Sequence, residues 1–412
     1  MKEQALRDLF VKSRLLLIYG AAGTGKTTLI NYISNMMGNY KKLFLTKTHA
    51  ARQNLQRRID NPGPESEFIS MDSFTNKVSV PEFDVVFVDE CSTIDNLSMY
   101  RLLDKLGTNS FLVLAGDIHQ IESIDFGNWF FYAKDIIHTT GSNVELLSTW
   151  RTDDQNLIGL WDEVRKKGDR ITEFLAMDGP YSEDISPAIF KEVGNDEVVL
   201  CLNYDGKFGL NNINRYFQNA NTKYPAVTWH EWTYKVGDRI LFNENKRFKN
   251  LYNNLKGRIA EIQKEYYRII FTIDVERISP QAMCQNDDLE FVSVLDGKTR
   301  IRLSVFDYMD PEDGTDNEDR KRKSSIPFQL AYAVSIHKAQ GLEYDSVKVV
   351  IPSSNAERIT HGIFYTAITR AKKKLKIYWS AETMEEVVHS FSEESERKKS
   401  LEIIKTKLGI SN

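Results

Sequence analysis

The chain has 412 residues, of which 41% are hydrophobic and 27% charged, and its formal net charge is −4 at pH 7. This length predicts several domains, the composition is that of a globular protein, and the slight negative charge argues against indiscriminate coating of nucleic acid. Three scattered cysteines without a C-x-x-C pair indicate neither a disulfide framework nor a cysteine zinc site, and they fit the reducing cytoplasm.

The first third of the chain alternates short apolar segments with stretches of helical character. Such alternation predicts parallel strands joined by crossover helices. The run at residues 15–19 is too short to span a membrane, so we interpret it as a buried strand and expect no membrane partner. The apolar segments are RLLLIYG, KLFLT, DVVFVDE and FLVLAGD.

The stretch GAAGTGKTT, residues 20–28, lies between the first apolar segment and a helical one and fits G-x-x-x-x-G-K-[ST]. In such a loop the backbone N–H groups surround phosphates, Lys26 would reach the β and γ oxygens, and Thr27 could hold Mg²⁺. The sequence therefore predicts a P-loop that binds ATP. The predicted ATP contacts are Gly20, Gly23, Thr24, Gly25, Lys26, Thr27 and Thr28.

Two further strand ends carry residues suited to hydrolysis. Asp89 and Glu90 follow DVVFV, and at the carboxyl edge of a parallel sheet Asp89 suits direct or indirect Mg²⁺ coordination while Glu90 suits polarising the attacking water. Gln120 follows the next strand, where an amide could contact both γ-phosphate and water. Each could also be an ordinary acidic strand end or turn glutamine, and the P-loop favours the catalytic interpretation.

The second half of the chain repeats the apolar rhythm, in EVVLCLNY, VKVVIP and KLKIYWS, which predicts a second α/β unit. Between these segments, residues 230–310 are β-rich and polar. Asp296 and Gly297 separate two alternating segments there and predict a tight hairpin. We expect a small antiparallel barrel inserted into the second α/β unit, followed by a solvated charged connection over residues 309–325.

Three further motifs of the chain carry a resemblance. The string YTAITRAKKKL (residues 365–375) resembles the sixth helicase motif, with Arg370 as an arginine finger, and STWRTDD (148–154) resembles the fourth, with Arg151 as a second finger. SIHKAQGLEYD (335–345) resembles the fifth. The chain thus resembles a superfamily 1 helicase of the RecD- and Dda-like, 5′-to-3′ branch.

The resemblance implies an α/β fold of two RecA-like P-loop lobes with parallel sheets and a small SH3-like β-barrel inserted in the second lobe. The implied domains are residues 1–147 for the first lobe, 148–228 and 325–390 for the second lobe, 229–324 for the barrel, and 391–412 for a charged helical tail.

The resemblance also implies further nucleotide contacts. In the fifth motif, Gln340, Gly341 and Glu343 would face the nucleotide. Gln4 resembles the upstream glutamine that reads adenine. Trp150, beside Arg151, could stack on the adenine or could be a core tryptophan at a strand end.

Nucleic-acid contacts are implied by the same likeness. The segments TKTHAA (46–51) and MDSFT (71–75) resemble motifs Ia and Ib, and Phe74 would supply a base-stacking platform. Relatives usually carry histidine where Asp72 stands; a carboxylate would repel phosphates, so we expect Asp72 to point elsewhere. The implied contacts are Thr48, His49, Ser73, Phe74, Ser335, His337 and Lys338.

The resulting hypothesis is a cytoplasmic ATPase and helicase of DNA repair or replication that uses ATP and Mg²⁺ and moves along single-stranded DNA. Two alternatives stay open, an RNA helicase of the same superfamily and a nucleic-acid-binding ATP switch. A small-molecule kinase would share the P-loop but would need neither the arginines nor the barrel.

The interval between Phe74 of motif Ib and Asp84 is short. RecD and Dda relatives carry there a hairpin that acts as a wedge at the fork, whereas here only the nine residues 75–83, TNKVSVPEF, are present. Nine residues including Pro81 are a poor basis for a projecting two-stranded ribbon. We therefore expect good translocation but weak unwinding by the chain alone.

Overall fold

The computed structural model describes residues 14–107, 109–121, 127, 129–137, 142–176, 181–191, 194, 196–243, 248, 251, 253–276, 289–307, 323–391 and 395–409. Gln4 and most of the charged connection at 309–325 lie outside these residues. Within the described ranges, no helix has the length and apolar character needed to cross a membrane.

The strands follow the apolar segments of the sequence. They are β1 (Leu15–Gly20), β2 (Lys42–Thr46), β3 (Glu67–Ser70), β4 (Val85–Val88), β5 (Phe111–Gly116), β6 (Asn143–Leu146), β7 (Ser182–Glu183), β8 (Glu197–Cys201), β9 (Val227–Trp229), β10 (Trp232–Tyr234), β11 (Arg239–Phe242), β12 (Lys256–Lys264), β13 (Arg268–Glu276), β14 (Leu289–Leu295), β15 (Lys298–Phe306), β16 (Phe328–Leu330), β17 (Ala333–Ser335), β18 (Tyr344–Val350) and β19 (Ala371–Tyr378).

The helices occupy the intervals between strands. They are α1 (Lys26–Met36), α2 (His49–Arg58), α3 (Met71–Thr75), α4 (Asn96–Lys105), α5 (Trp129–Ile136), α6 (Gln155–Lys166), α7 (Ile171–Leu175), α8 (Leu210–Ala220), α9 (His361–Ile368), α10 (Ala381–Ser390) and α11 (Ser395–Leu408), with short 3₁₀ turns at Cys91–Thr93, Pro187–Phe190 and Ser353–Arg358.

The chain divides into two compact units. The amino-terminal unit comprises Met1–Asp184 and Ile351–Asn412, and the central unit comprises Ile185–Val350. The amino-terminal unit is therefore built from two separate stretches of sequence. The domain boundaries expected from the resemblance stay predictions.

The amino-terminal unit contains a six-stranded parallel sheet with the strand order β3-β2-β4-β5-β1-β6. Strands β2 and β4 are buried along their whole length, as expected when both faces of a parallel sheet are covered. Side chains alternate between two cores, so that Leu16 and Ile18 join one buried cluster while Leu17 joins the other. The segments that follow β1, β4 and β5 all leave at the carboxyl edge of this sheet, which is where the predicted site residues lie.

The amino-terminal unit also contains the parallel pair β19 and β7, joined at Ile377 with Ser182 and at Tyr378 with Glu183. Helix α9 precedes β19, and the Thr360 side chain caps its first turn by accepting from the Ile363 N–H. The sixth motif therefore begins in a capped helix and continues into a strand of this unit.

The central unit contains a parallel sheet in which β8 lies between β17 and β18. It also contains a six-stranded antiparallel sheet with the order β14-β15-β13-β12-β11-β16. The hairpin between β14 and β15 turns at Asp296 and Gly297, whose φ angles of 49° and 75° confirm the predicted tight turn. Parallel α/β sheets and an antiparallel insertion are thus both present, while the closure of that insertion into an SH3-like barrel stays a prediction.

Candidate active site

The loop that joins β1 to α1 has the conformation of a phosphate-binding loop. Gly23 and Gly25 have φ angles of 75° and 89°, which residues with a Cβ rarely adopt. Gly25 occupies the N-cap position of α1 and has no side chain with which to bond the first N–H groups of the helix. Those donors, at the positive end of the helix dipole, are therefore left for an anion.

Lys26 lies within this loop rather than in solvent. Its ammonium donates to the carbonyl oxygens of Gly20 and Ala21, both at 2.9 Å. The Thr24 hydroxyl donates to the same Ala21 oxygen, also at 2.9 Å. The Lys26 side chain is thus buried at the place where β and γ phosphate oxygens would bind in a P-loop.

Thr27 and Asp89 meet across the sheet edge. The Thr27 hydroxyl donates to Asp89 Oδ2 at 3.0 Å, and Asp89 Oδ1 accepts from the Glu90 N–H at 3.0 Å. Burial, and then the neighbouring Glu90 carboxylate, raise the pKa of Asp89 to about 6. A bound cation would favour the ionised form, and hard oxygen donors on two residues suit Mg²⁺, which keeps several of its waters in nucleotide sites.

Glu90 has an unusual backbone and an unsatisfied oxygen. Its φ of 56° places a non-glycine residue in the left-handed region. Its Oε2 atom is buried and has no hydrogen-bond partner among the described residues. Both features cost free energy and are found at functional sites, and a buried carboxylate oxygen of this kind is suited to accept from a water molecule.

The loop after β5 is held by Asp117. Its carboxylate accepts from the His119 N–H at 3.0 Å and from the Gln120 side-chain amide at 3.2 Å. The next N–H along the chain, that of Ile121, donates to the Thr366 hydroxyl of α9 at 3.0 Å. The structure therefore joins the loop that carries Gln120 directly to the sixth motif.

The two predicted arginine fingers are joined by one threonine. Arg151 Nη1 donates to the Thr369 carbonyl oxygen at 2.6 Å, and Arg370 Nη2 donates to the Thr369 hydroxyl at 3.2 Å. A Cβ placed on Gly23 would lie 2.5 Å from the Arg151 Cβ, so the fourth motif packs directly against the P-loop. Both arginines belong to the same compact unit as the P-loop.

Trp150 is not a core tryptophan. Its side chain is 83% exposed, while its backbone N–H donates to the Gly23 carbonyl oxygen at 2.8 Å. Of the two alternatives drawn from the sequence, the buried one is excluded. An exposed indole anchored beside the P-loop is consistent with adenine stacking.

Phe74 requires a correction. Its place in the motif Ib segment predicts stacking on bases, but its side chain is completely buried, in the cluster that includes Met71 and Met99. The sequence of the short helix α3 does not show which of its faces is buried. Packing against α4 places the Phe74 ring in the core. Phe74 therefore cannot act as a stacking platform in this conformation.

Other predicted strand contacts of the amino-terminal unit have local partners. Thr48 caps α2 by accepting from the Ala51 N–H at 3.2 Å, and the exposed Ser73 lies 2.8 Å, oxygen to oxygen, from Ser70. His49 is the first residue of α2, and the structure does not describe its side chain. Thr48 and His49 follow β2, and Ser73 follows β3; these two strands are adjacent in the sheet.

Lys47 is a charged residue of the motif Ia segment that was not among the predicted site residues. Its ammonium lies 2.9 Å from Asp95 and 3.8 Å from Asp72. Asp72, which stands where relatives usually carry histidine, is exposed. Lys47 offsets its negative charge. The signal was available in the sequence, since Lys47 stands between the two threonines of TKTHAA.

The fifth motif lies in the central unit and is partly engaged there. Ser335 is buried and its hydroxyl accepts from the Lys338 N–H at 3.2 Å, while the Lys338 ammonium donates to the side-chain oxygens of Asn243, at 2.9 Å, and Gln329. Burial lowers the pKa of Lys338. Of the three predicted strand contacts in this motif, His337 has the most exposed side chain.

The predicted nucleotide contacts of the fifth motif surround a turn. Gly341 has a φ of 78°. Gln340 Nε2 is buried without a hydrogen-bond partner among the described residues, and the Glu343 carbonyl oxygen accepts from the Lys256 ammonium at 2.6 Å. An unsatisfied buried amide at Gln340 is consistent with a ligand-facing role.

Comparison with known families and structures agrees with this geometry. A family model described as "AAA domain" matches residues 2–179, and one described as "UvrD-like helicase C-terminal domain" matches residues 330–378. The second match includes the fifth and sixth motifs.

Two curated relatives extend over most of the chain. The RecBCD enzyme subunit RecD of Buchnera aphidicola is 22% identical over 377 residues, which cover 75% of this chain and 56% of that protein. The ATP-dependent RecD2 DNA helicase of Deinococcus radiodurans is 20% identical over 395 residues, which cover 90% of this chain and 48% of that protein. The chain thus spans about half the length of these relatives.

A solved structure shares the fold. The Pif1 helicase from Bacteroides in complex with ADP-AlF3 and single-stranded DNA superposes with a TM-score of 0.56 at 16% sequence identity, covering 93% of each chain. Parallel sheets, a P-loop and carboxylates at the sheet edge define a P-loop protein with two RecA-like lobes. Within that class, the chain is similar in sequence to the RecD and RecD2 proteins and in fold to the Pif1 helicase.

Proposed function

We propose that the chain is an ATP-driven motor that moves along single-stranded DNA with a 5′-to-3′ bias and separates strands as a DNA helicase. The observation that carries the proposal is the Thr369 bridge, which joins Arg151 and Arg370 in the unit that holds the P-loop. A P-loop alone is shared by kinases and switches, whereas paired arginines supplied to the γ-phosphate serve hydrolysis.

The residues divide the chemistry of hydrolysis among them. Lys26 and the N–H groups of the P-loop bind the phosphates, and Glu90 orients and polarises the attacking water through its unsatisfied oxygen. Gln120 contacts γ-phosphate and water, and the two arginines offset the charge that develops as the bond breaks. Thr27 and Asp89 would hold Mg²⁺, and the bound ion would neutralise part of the phosphate charge.

The adenosine end of ATP is bound beside the P-loop. Trp150 is exposed and anchored through its backbone to Gly23, so its indole stacks on adenine. Gln4 reads the adenine edge, and Gln340, Gly341 and Glu343 contact the nucleotide from the fifth motif. These assignments extend the resemblance to the family.

The nucleic acid is held mainly through its phosphates. Thr48, His49, Ser73, Ser335, His337 and Lys338 are the proposed contacts, and the burial of Phe74 leaves this set without a stacking ring. Affinity should therefore fall steeply with salt and vary little with sequence. DNA is favoured over RNA because the relatives include a named DNA helicase and a structure solved with single-stranded DNA. We place this activity in the cytoplasm, in DNA repair or replication.

The test is ATP turnover by the purified chain with no polymer, with single-stranded DNA and with single-stranded RNA. A DNA motor shows strong stimulation by DNA, and an RNA helicase shows it with RNA. A switch binds ATP without sustained turnover, and a small-molecule kinase ignores both polymers. Absence of stimulation by either polymer would overturn the proposal.

A further inference from the structure

Thr366 connects two motifs that are 245 residues apart in sequence. Its hydroxyl accepts from the Ile121 N–H at 3.0 Å, and both residues are buried. Ile121 directly follows Gln120, the amide assigned to γ-phosphate and water. The hydroxyl therefore holds the backbone of the loop that carries Gln120.

The carbonyl group of Thr366 contacts the other catalytic element. It accepts from Arg370 Nε at 2.9 Å and from the Thr369 hydroxyl at 3.1 Å. One residue thus holds the backbone beside Gln120 with its side chain and the guanidinium of Arg370 with its main chain.

The first turn of α9 leaves no space against the same loop. A Cβ placed on Gly362 would lie 3.0 Å from the carbonyl oxygen of Gln120 and 3.3 Å from its carbonyl carbon. The backbone of Gly362 therefore lies close to that of Gln120, and no side chain stands between them that could absorb a displacement. Helix α9 and the Gln120 loop are therefore in contact at two points, Gly362 and Thr366.

We propose that Thr366 is a positioning residue that couples the position of Gln120 to the position of Arg370. The group that contacts γ-phosphate and water and the arginine that offsets its charge then take their catalytic positions together. This inference rests on the proposed function. Without the hydroxyl, the buried Ile121 N–H loses its acceptor, and the Gln120 loop is no longer fixed to α9.

The test compares Thr366→Val, which keeps the shape but loses the acceptor, with Thr366→Ser, which keeps the hydroxyl. In single-stranded-DNA-stimulated ATP hydrolysis we expect Thr366→Val to lower kcat about tenfold, as for the loss of a buried hydrogen bond, with the KM for ATP within about twofold of the parent. Thr366→Ser should restore kcat to within about twofold of the parent.

A double-mutant cycle separates coupling from a merely structural role. Once Gln120 is replaced by alanine, Thr366→Val should cause little further loss, because the group that it positions is gone. Thr360→Val is the matched control: it removes a hydroxyl that caps the same helix but does not contact the Gln120 loop, and kcat should be retained.

Gly362→Ala provides a second, independent probe. Alanine favours the helix, so the fold of α9 is retained, yet its Cβ would press on the Gln120 carbonyl and lower kcat as well. Normal kcat in both Thr366→Val and Gly362→Ala, failure of Thr366→Ser to rescue, or additive losses in the cycle would each overturn the inference. If the parent lacks DNA stimulation, the proposed function fails, and the same variants are then compared in unstimulated turnover.

Discussion

In the proposed reaction, Lys26 and Glu90 act on different species. The lysine ammonium is buried among the P-loop carbonyls, where ground-state phosphates bind, while the glutamate has an unsatisfied oxygen suited to water. Loss of the first removes binding, and loss of the second removes an interaction needed in the transition state.

We therefore expect Lys26→Ala and Glu90→Gln both to abolish turnover but to differ in ATP binding. Glu90→Gln should bind ATP with near-normal affinity and hold single-stranded DNA in its presence, whereas Lys26→Ala should bind ATP poorly. Fluorescent nucleotide titration measures this difference. Equal loss of ATP affinity in both variants would contradict the assignment.

The arginines joined by Thr369 give a second prediction at this scale. Arg151→Ala and Arg370→Ala should each lower the stimulated kcat by about 10³-fold or more, as for other arginines acting in phosphoryl transfer, and leave DNA binding without ATP unchanged. The control is Arg170→Ala, which removes an exposed arginine paired with Glu163 and should leave kcat intact. Near-normal turnover in Arg370→Ala would refute the sixth-motif assignment.

Among the elements, β18 and β8 are joined by a buried ion pair. The Lys348 ammonium lies 3.0 Å from Glu197 Oε1, and both side chains are almost completely buried. The Ser346 hydroxyl donates to the other oxygen of Glu197 at 2.9 Å. Removing one charge from such a pair leaves the other unpaired in the interior.

Lys348→Met should lower the free energy of unfolding by about 3–5 kcal/mol, because the Glu197 carboxylate stays buried without its partner. Lys376→Met is the control: its pair with Glu183 is exposed, so the loss should stay below about 1 kcal/mol. Urea titrations followed by circular dichroism measure both. A larger effect at Lys376 than at Lys348 would show that the buried pair is unimportant.

Elements with a strong local signal were predictable from sequence. The P-loop glycines, the buried strands and the Asp296–Gly297 turn follow from backbone geometry and apolar runs that depend on neighbouring residues alone. The predicted stacking role of Phe74 was wrong because the buried face of the five-residue helix α3 is set by packing against α4, which the local sequence pattern does not reveal. The Thr366 contact with Ile121 was invisible for the same reason, since its partners are 245 residues apart.

At the scale of the whole molecule, residues 76–84 between α3 and β4 contain no strand. A ribbon that could project at a fork is therefore missing from this interval, which the structure describes completely. Stepping needs only an ATP-gated grip on the strand, while efficient separation of a stable duplex needs a wedge or a partner.

We expect robust 5′-to-3′ translocation on single-stranded DNA but weak unwinding by the chain alone, decreasing steeply with duplex length and G·C content. Single-turnover assays compare displacement of an end-bound protein block with unwinding of a 5′-tailed duplex. Unwinding as fast as translocation and independent of G·C content would show that the short interval does not limit strand separation.

The amino-terminal unit is built from two stretches of sequence with the whole central unit between them. During synthesis the ribosome therefore completes Ile185–Val350 before it makes β19, the partner of β7, and before it makes α9 and Arg370. Contacts between distant segments form late and slowly. A nascent chain would expose the unpaired edge of β7 until β19 is made, so chaperone demand should be concentrated there, and the ATP site should mature only after the sixth motif has been synthesised.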